Sequence, residues 1–312
     1  MTKIVKPIII LGSPRSGTTF LFTLLNESKE LYSLYEESRF LFRDFYNKDP
    51  DKFSNDSLLP NDLNQQDKEH LLNNFHRYSF KLKSIGQLVN KVIKKKIGLN
   101  WLAKLIAEMN LRFKQNSQYR MVEKTPRNAF KVEVLNELFP DALFIYIKRD
   151  GRSNISSLIE AWKKRSLDDL EESKRLPQIT KELNFSNYNG KAWRFTLPPN
   201  WQDYTHSSLE EVCAFQWKSA NDAIQKSLKN IDQTRILELS YEDLVTNTEA
   251  LMQAICDFAD ISYSNELQAI TKASPAVNYF DGKPSFDKWK KNEAQIEKVS
   301  DFIHDTQKAM GY

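Results

Sequence analysis

A chain of 312 residues with 40% hydrophobic and 12% aromatic side chains has ample material for a buried core, which excludes a disordered polymer and fits one large α/β unit or two small ones. A net charge of +4 is too weak to argue for nucleic acid and better suits a small polyanionic ligand. The two cysteines, Cys213 and Cys256, make no disulfide framework, and the four histidines, His70, His76, His206 and His304, lack the close spacing of metal ligands, so no metal is expected.

In chain order, the first apolar run is Pro7 to Leu11, too short for a signal segment or a membrane span. With the scarcity of cysteine and a Lys- and Asn-rich composition, this predicts a bacterial, cytoplasmic protein. The run reads as a buried strand and feeds "GSPRSGTT", residues 12 to 19, which has the spacing G-x-x-x-x-G followed by two hydroxyls. Residues 18–28 then read as a helix, with Phe20, Leu21, Leu24 and Leu25 at helical spacing. A glycine loop between a strand and a helix presents backbone N–H groups to a phosphate. The lysine that a nucleoside triphosphatase carries after the second glycine is absent. Thr18 stands there, and Arg15 sits inside the loop. Such a loop suits a donor whose transferred group carries little charge and needs neither that lysine nor a metal, such as a sulfuryl group.

Residues 31–35 read as a second strand that delivers Glu36, Glu37, Ser38 and Arg39 to its end. Residues 40–117 read as a mostly helical insertion. Within it, 77–104 is rich in Lys and Arg, lacks acidic residues and carries an apolar stripe. This is either the solvated basic face of a helix or a basic cap over an anionic acceptor or a membrane surface. Residues 119–124 read as a strand ending in Lys124, 128–139 as a helix stopped by Pro140, and 142–149 as a strand with a continuous apolar run. Residues 150–164 follow as turn and helix, 166–206 as a long lid-like loop region, and 235–240 as a further strand before C-terminal helices. Strands alternating with helices predict an α/β fold with a parallel sheet covered on both faces. No linker divides the chain, so a single domain over 1–312 is expected. No acidic strand end is evident beside the loop to hold a metal.

"IKRDGRS", residues 147–153, puts Arg149 at the end of a buried strand, where open α/β sheets bind ligands, and the following helix carries Ser157 about two turns in. Two anion sites at two strand ends of one sheet imply a nucleotide phosphorylated at two separated places.

These residues resemble the sulfotransferases that use 3′-phosphoadenosine 5′-phosphosulfate (PAPS), among them the tyrosylprotein sulfotransferases and their bacterial relatives. "GSPRSGTT" resembles the family's 5′-phosphosulfate loop, "FIYIKRDGRSNISSL" its 3′-phosphate segment, "YEESR" its "GEETR" stretch, and "LELSYEDLV" a shared late strand and tyrosine. The resemblance runs from residue 8 to about residue 290. It implies PAPS as co-substrate and an acceptor hydroxyl on a small molecule, sugar, lipid or tyrosyl peptide. It also implies that Pro14, Arg15, Ser16, Gly17, Thr18 and Thr19 surround the 5′-phosphate, with Arg15 steadying charge in transfer, and that Arg149 and Ser157 hold the 3′-phosphate. By the same resemblance Glu37 is the general base, with Glu36 its rival because the spacing is one residue longer here. Lys124 stabilises the leaving phosphate, Arg39 touches the acceptor, Tyr241 packs near the adenine or its phosphate, and Ser274 and Lys288 close on the nucleotide. Pro126 stands where small-molecule members often carry a catalytic histidine, which favours the glutamate. The rival readings are a P-loop kinase, which would need Mg²⁺, and a non-catalytic module binding nucleotide or a membrane surface.

Overall fold

The computed structural model describes residues 4–34, 37–42, 45, 49, 54–81, 118–164, 188, 193–273 and 286–312. Glu36, Ser274, most of the basic stretch 77–104 and most of 166–192 lie outside the described residues.

Six strands form one sheet in the order β3-β2-β4-β1-β5-β6. They are β1 (Ile8–Leu11), β2 (Leu31–Leu34), β3 (Ser79–Phe80), β4 (Arg120–Lys124), β5 (Leu143–Lys148) and β6 (Ile236–Ser240). All neighbouring pairs are parallel except β2 with β3, a short antiparallel edge pairing for which the sequence shows no alternating run. Parallel strands buried on both faces read as unbroken apolar runs. In β1, Ile8 and Ile10 point into one core while Ile9 and Leu11 point into the other; in β5, Ile145 and Ile147 oppose Phe144 and Tyr146 in the same way.

On the first face lie α1 (Thr18–Leu25) and the helices that follow β6, namely α6 (Tyr241–Thr246), α7 (Thr248–Ala259) and α8 (Asn265–Ala273). The opposite face is covered by α2 (Gln65–Tyr78), α3 (Val132–Leu138) and α5 (Leu209–Leu228). Between β5 and α5 runs α4 (Gly151–Lys163), whose apolar side packs with α5 into a third cluster that includes Trp162, Trp193, Trp201 and Trp217. Residues 193–201, inside the stretch read as lid-like, contribute Trp193, Leu197 and Trp201 to that cluster and bond to 54–56. Leu197 N–H donates to Asp56 Oδ2 at 2.6 Å and Trp201 Nε1–H to Ser54 O at 2.8 Å.

The helix read over 128–139 is two pieces. Pro126 opens a 3₁₀ turn over Pro126–Phe130, and α3 starts only at Val132. Lys131 between them has φ −136° and turns its side chain inward, where Nζ donates to Arg127 O at 3.2 Å. The helix is interrupted at Lys131.

Among the described residues no helix is long and apolar enough to cross a membrane. Cys213 and Cys256 are free and buried.

Candidate active site

The strand register brings the C-terminal ends of β1, β4, β5 and β6 to one rim of the sheet. Ile10 pairs with Lys124, Leu11 with Tyr146, and Lys148 with Ser240. Ligands of open α/β sheets bind at this rim.

The loop from Gly12 to Gly17 turns sharply there. Gly17 has φ 96° and Arg15 has φ 72°, the left-handed region that disfavours a side chain. A Cβ on Gly12 would stand 2.4 Å from Ser16 Oγ, and one on Gly17 would stand 2.4 Å from the Tyr241 ring. Neither site has room for a methyl group. Gly17 caps α1 with its backbone alone, and the first turn of α1 carries no acidic side chain, so the helix's positive end faces the rim. Pro14, Ser16 and Thr18 are buried in the loop, while Thr19 is exposed.

The second segment closes on the first. Arg149 Nη1 donates to Arg15 O at 2.6 Å, and Arg15 Nε donates to Ser157 Oγ at 3.1 Å. Asn154, fully buried on α4, donates to Ser13 Oγ at 2.9 Å and pins the loop to that helix. The Arg149 guanidinium lies 4.2 Å from the Tyr241 ring centroid. Tyr241 is thus wedged between Gly17 and Arg149, supporting the guanidinium through its face. Burial holds Arg149 below the ordinary arginine value; Tyr241, Glu242 and Asp150 oppose that shift and the Arg15 charge adds to it. Arg149 Nε and Ser16 Oγ are buried with no hydrogen-bond partner among the described residues. Buried donors in that state fit an anion. The Ser157 hydroxyl is nearly covered.

Lys288 opens the 3₁₀ turn Lys288–Asn292, which docks on α4. Asn292 donates to Ser156 Oγ at 2.9 Å, and Arg152 lies 5.1 Å from the Trp289 ring centroid. Lys288 therefore sits on a segment anchored beside Ser157.

On the other side of the rim, Lys124 Nζ meets Glu37 Oε1 at 2.7 Å. The lysine is 9% exposed and the glutamate 37%, so the pair is open to solvent on the carboxylate side. Arg39 lies in the 3₁₀ turn Ser38–Phe42 that follows. Glu123 stands beside Lys124 on the opposite face of β4 and is buried. Its oxygens are engaged: Thr125 Oγ1 donates to Oε1 and Asn128 Nδ2 to Oε2, both at 2.6 Å. Burial raises the Glu123 carboxyl above the ordinary value, while hydrogen bonds from Thr125 and Ser38 and the Lys124 charge pull it back. Beneath lies a further buried ion pair, Arg127 to Asp56 at 3.1 Å.

The structure therefore brings Arg15, Ser157, Arg149, Tyr241 and Gly17 into one contact set, and Glu37 with Lys124 into a second. Asn154, Thr125, Glu123 and Asn128 were not singled out by sequence. Their one visible signal is that polar residues directly follow apolar strands in "IKRDGRSN" and "MVEKTPRN".

The model of the sulfotransferase family matches residues 7–199 and 184–265, and the chain belongs to that family. It is 21% identical over 279 residues to the protein-tyrosine sulfotransferase of Drosophila melanogaster, an alignment covering 89% of this chain and 42% of the relative. It is 22% identical over 260 residues to protein-tyrosine sulfotransferase A of Caenorhabditis elegans, covering 83% of this chain and 51% of the relative. The chain thus spans about half the length of these curated relatives or less. Among solved structures, sulfotransferase STF1 from Mycobacterium tuberculosis superposes with a TM-score of 0.48 at 15% identity, covering 96% of this chain and 77% of that one.

Proposed function

We propose that the chain moves a sulfuryl group from PAPS to an acceptor hydroxyl. The observation that carries this reading is the position of Arg15, whose carbonyl accepts from Arg149 and whose Nε donates to Ser157. One residue of the first phosphate loop touches both groups assigned to the second phosphate, which fits a donor phosphorylated at two separated positions. The crowding at Gly12 and Gly17, and Ser16 Oγ and Arg149 Nε, buried with no hydrogen-bond partner among the described residues, support the same fit.

In this reading the backbone N–H groups at the start of α1, with Ser16, Thr18 and Thr19, hold the 5′-phosphate. Arg149 and Ser157 hold the 3′-phosphate, Tyr241 keeps the guanidinium in place, and Lys288 closes over the nucleotide. Glu37 takes the acceptor proton as the new O–S bond forms. The S–O bond to the 5′-phosphate breaks, Lys124 stabilises the oxygen that leaves, and Arg15 steadies the charge between them. Arg39 contacts the acceptor. The names of the relatives make a tyrosyl hydroxyl the first acceptor to try, ahead of phenols, sugars and lipids.

The test offers labelled PAPS with a panel of tyrosyl peptides, phenols, sugars and aliphatic alcohols, with and without excess chelator. Transfer of label to a hydroxyl, unchanged by chelator, is the expected result. Mg²⁺-dependent phosphoryl transfer from ATP would replace this reading with a kinase. Tight binding of adenosine 3′,5′-bisphosphate without turnover on any acceptor would leave a binding module.

A further inference from the structure

We infer that Thr125, oriented by the buried Glu123 carboxylate, is the positioning residue that sets where Glu37 stands; the inference rests on the reading of Glu37 as the base. Ser38, directly after Glu37, is buried, and its N–H donates to Thr125 Oγ1 at 2.7 Å. The Ser38 hydroxyl approaches the same oxygen at 3.1 Å. Thr125 has one proton to give, and it goes to Glu123 Oε1 at 2.6 Å, which leaves the lone pairs of Thr125 facing Ser38. Asn128 fixes the other oxygen of Glu123 at 2.6 Å and lies 3.3 Å from Ser38 Oγ.

The chemistry follows from strand alternation. Lys124 points to the ligand side of β4 and holds the Glu37 side chain, whereas Glu123 and Thr125 point to the other side and hold the next residue's backbone. The proposed base is therefore gripped from both faces of one strand end, by its carboxylate and by the peptide just after it. The Ser38 hydroxyl also meets Asn128, but the Ser38 N–H, the backbone group directly after Glu37, is taken by Thr125. The interior side of this grip is dry, since Ser38, Thr125, Asn128 and Glu123 are each at most 2% exposed. A hydrogen bond removed there is not replaced by water, and the base would drift rather than simply loosen.

Thr125→Val keeps the volume and removes the hydroxyl; Thr125→Ser keeps the hydroxyl. With labelled PAPS and the fastest acceptor of the panel, Thr125→Val should lower kcat about 10–100-fold, the scale of a misplaced reacting group. Its dissociation constant for adenosine 3′,5′-bisphosphate should stay near the wild-type value, and Thr125→Ser should recover most of the kcat. Glu123→Gln is a second route, because an amide at that place donates toward Thr125 and turns the hydroxyl proton against Ser38 N–H; it should copy Thr125→Val. The deciding measurement is Thr125→Val in a Glu37→Gln background, where kcat should fall little further. Full kcat in Thr125→Val, loss of nucleotide affinity in step with kcat, or a loss that multiplies with that of Glu37→Gln would each overturn the positioning role. If Glu37→Gln alone keeps wild-type kcat, it is the base assignment that fails, and the positioning role falls with it.

Discussion

The two halves of the rim are built differently. The half around Arg15 and Arg149, which we propose holds the nucleotide, is made largely of backbone: a loop with two residues in left-handed conformation, a helix start and an Arg15 carbonyl that Arg149 clamps, with Asn154 holding the Ser13 hydroxyl. The half we propose for the acceptor is made of side chains from separate elements, Glu37 after β2, Lys124 on β4 and Thr125 beyond it, stacked on buried charges. A backbone cradle tolerates changes in side-chain chemistry but not in backbone shape. A side-chain constellation does the reverse, and it is the half where chemistry can be lost without losing the ligand.

The largest expected effect breaks that contrast from the acceptor side. Glu37→Gln should lower kcat by roughly 10²–10⁴, the worth of a positioned general base, while nucleotide affinity stays unchanged. The acceptor must be protonated at the assay pH, because an ionised phenol needs no base. Equal losses in kcat and in affinity for adenosine 3′,5′-bisphosphate would mean the two halves are not separable.

A smaller effect tests the nucleotide half. Arg149→Ala should weaken binding of adenosine 3′,5′-bisphosphate by about 2–3 kcal/mol, the scale of a charge-assisted hydrogen bond, and leave adenosine 5′-monophosphate almost unaffected. Loss of Arg149 also removes its bond to Arg15 O, so the loop itself is under test. If both nucleotides weaken alike, Arg149 serves the loop and not the 3′-phosphate.

The same contrast explains what the sequence reveals. The nucleotide half is legible because its parts are contiguous: "GSPRSGTT" carries its glycines at fixed spacing, and "RDGRSNISS" puts Arg149 and Ser157 on one strand end and one helix. Backbone shape is written locally, in which residues are glycine. The central strands are legible for a related reason, their unbroken apolar runs over 8–11 and 143–147. The acceptor half is legible only as single residues. That Thr125 meets Ser38 and Lys124 meets Glu37 are contacts across 87 positions each, and even in the nucleotide half the Asn154 bond to Ser13, across 141, is hidden in the same way. No periodicity encodes such pairs, since each partner is chosen by where the sheet brings it. The edge strand β3 is two residues long and carries no pattern to detect. Lys131 is a related case: it lies inside "NAFKVEVLNELF", read as one helix, three and four residues before the buried Val134 and Leu135, and the structure buries it and starts the helix one residue later.

That buried lysine yields the smallest of the three effects, and it separates the halves by pH. Lys131 is 2% exposed, with Nζ 5.5 Å from the Phe42 ring centroid and bonded to Arg127 O. Burial lowers its pKa from 10.5 to about 8, with Arg127 adding to the shift and Asp56 and Glu123 opposing it. The folded value therefore lies below the unfolded one. Between the two, the unfolded chain binds the extra proton, so raising the pH favours the folded state. Below about pH 8 both states are protonated and the full cost of the buried charge persists. Lys131→Met lacks this titration. Chemical denaturation of both proteins at pH 7.5 and pH 9.5 isolates it, because every other group cancels between them. The stability difference should move in favour of the wild type by about 2 kcal/mol over that range. A difference that stays constant, or that moves toward Lys131→Met, would show that the ammonium under the acceptor half reaches solvent and that this side of the rim is not the dry support its hydrogen bonds describe.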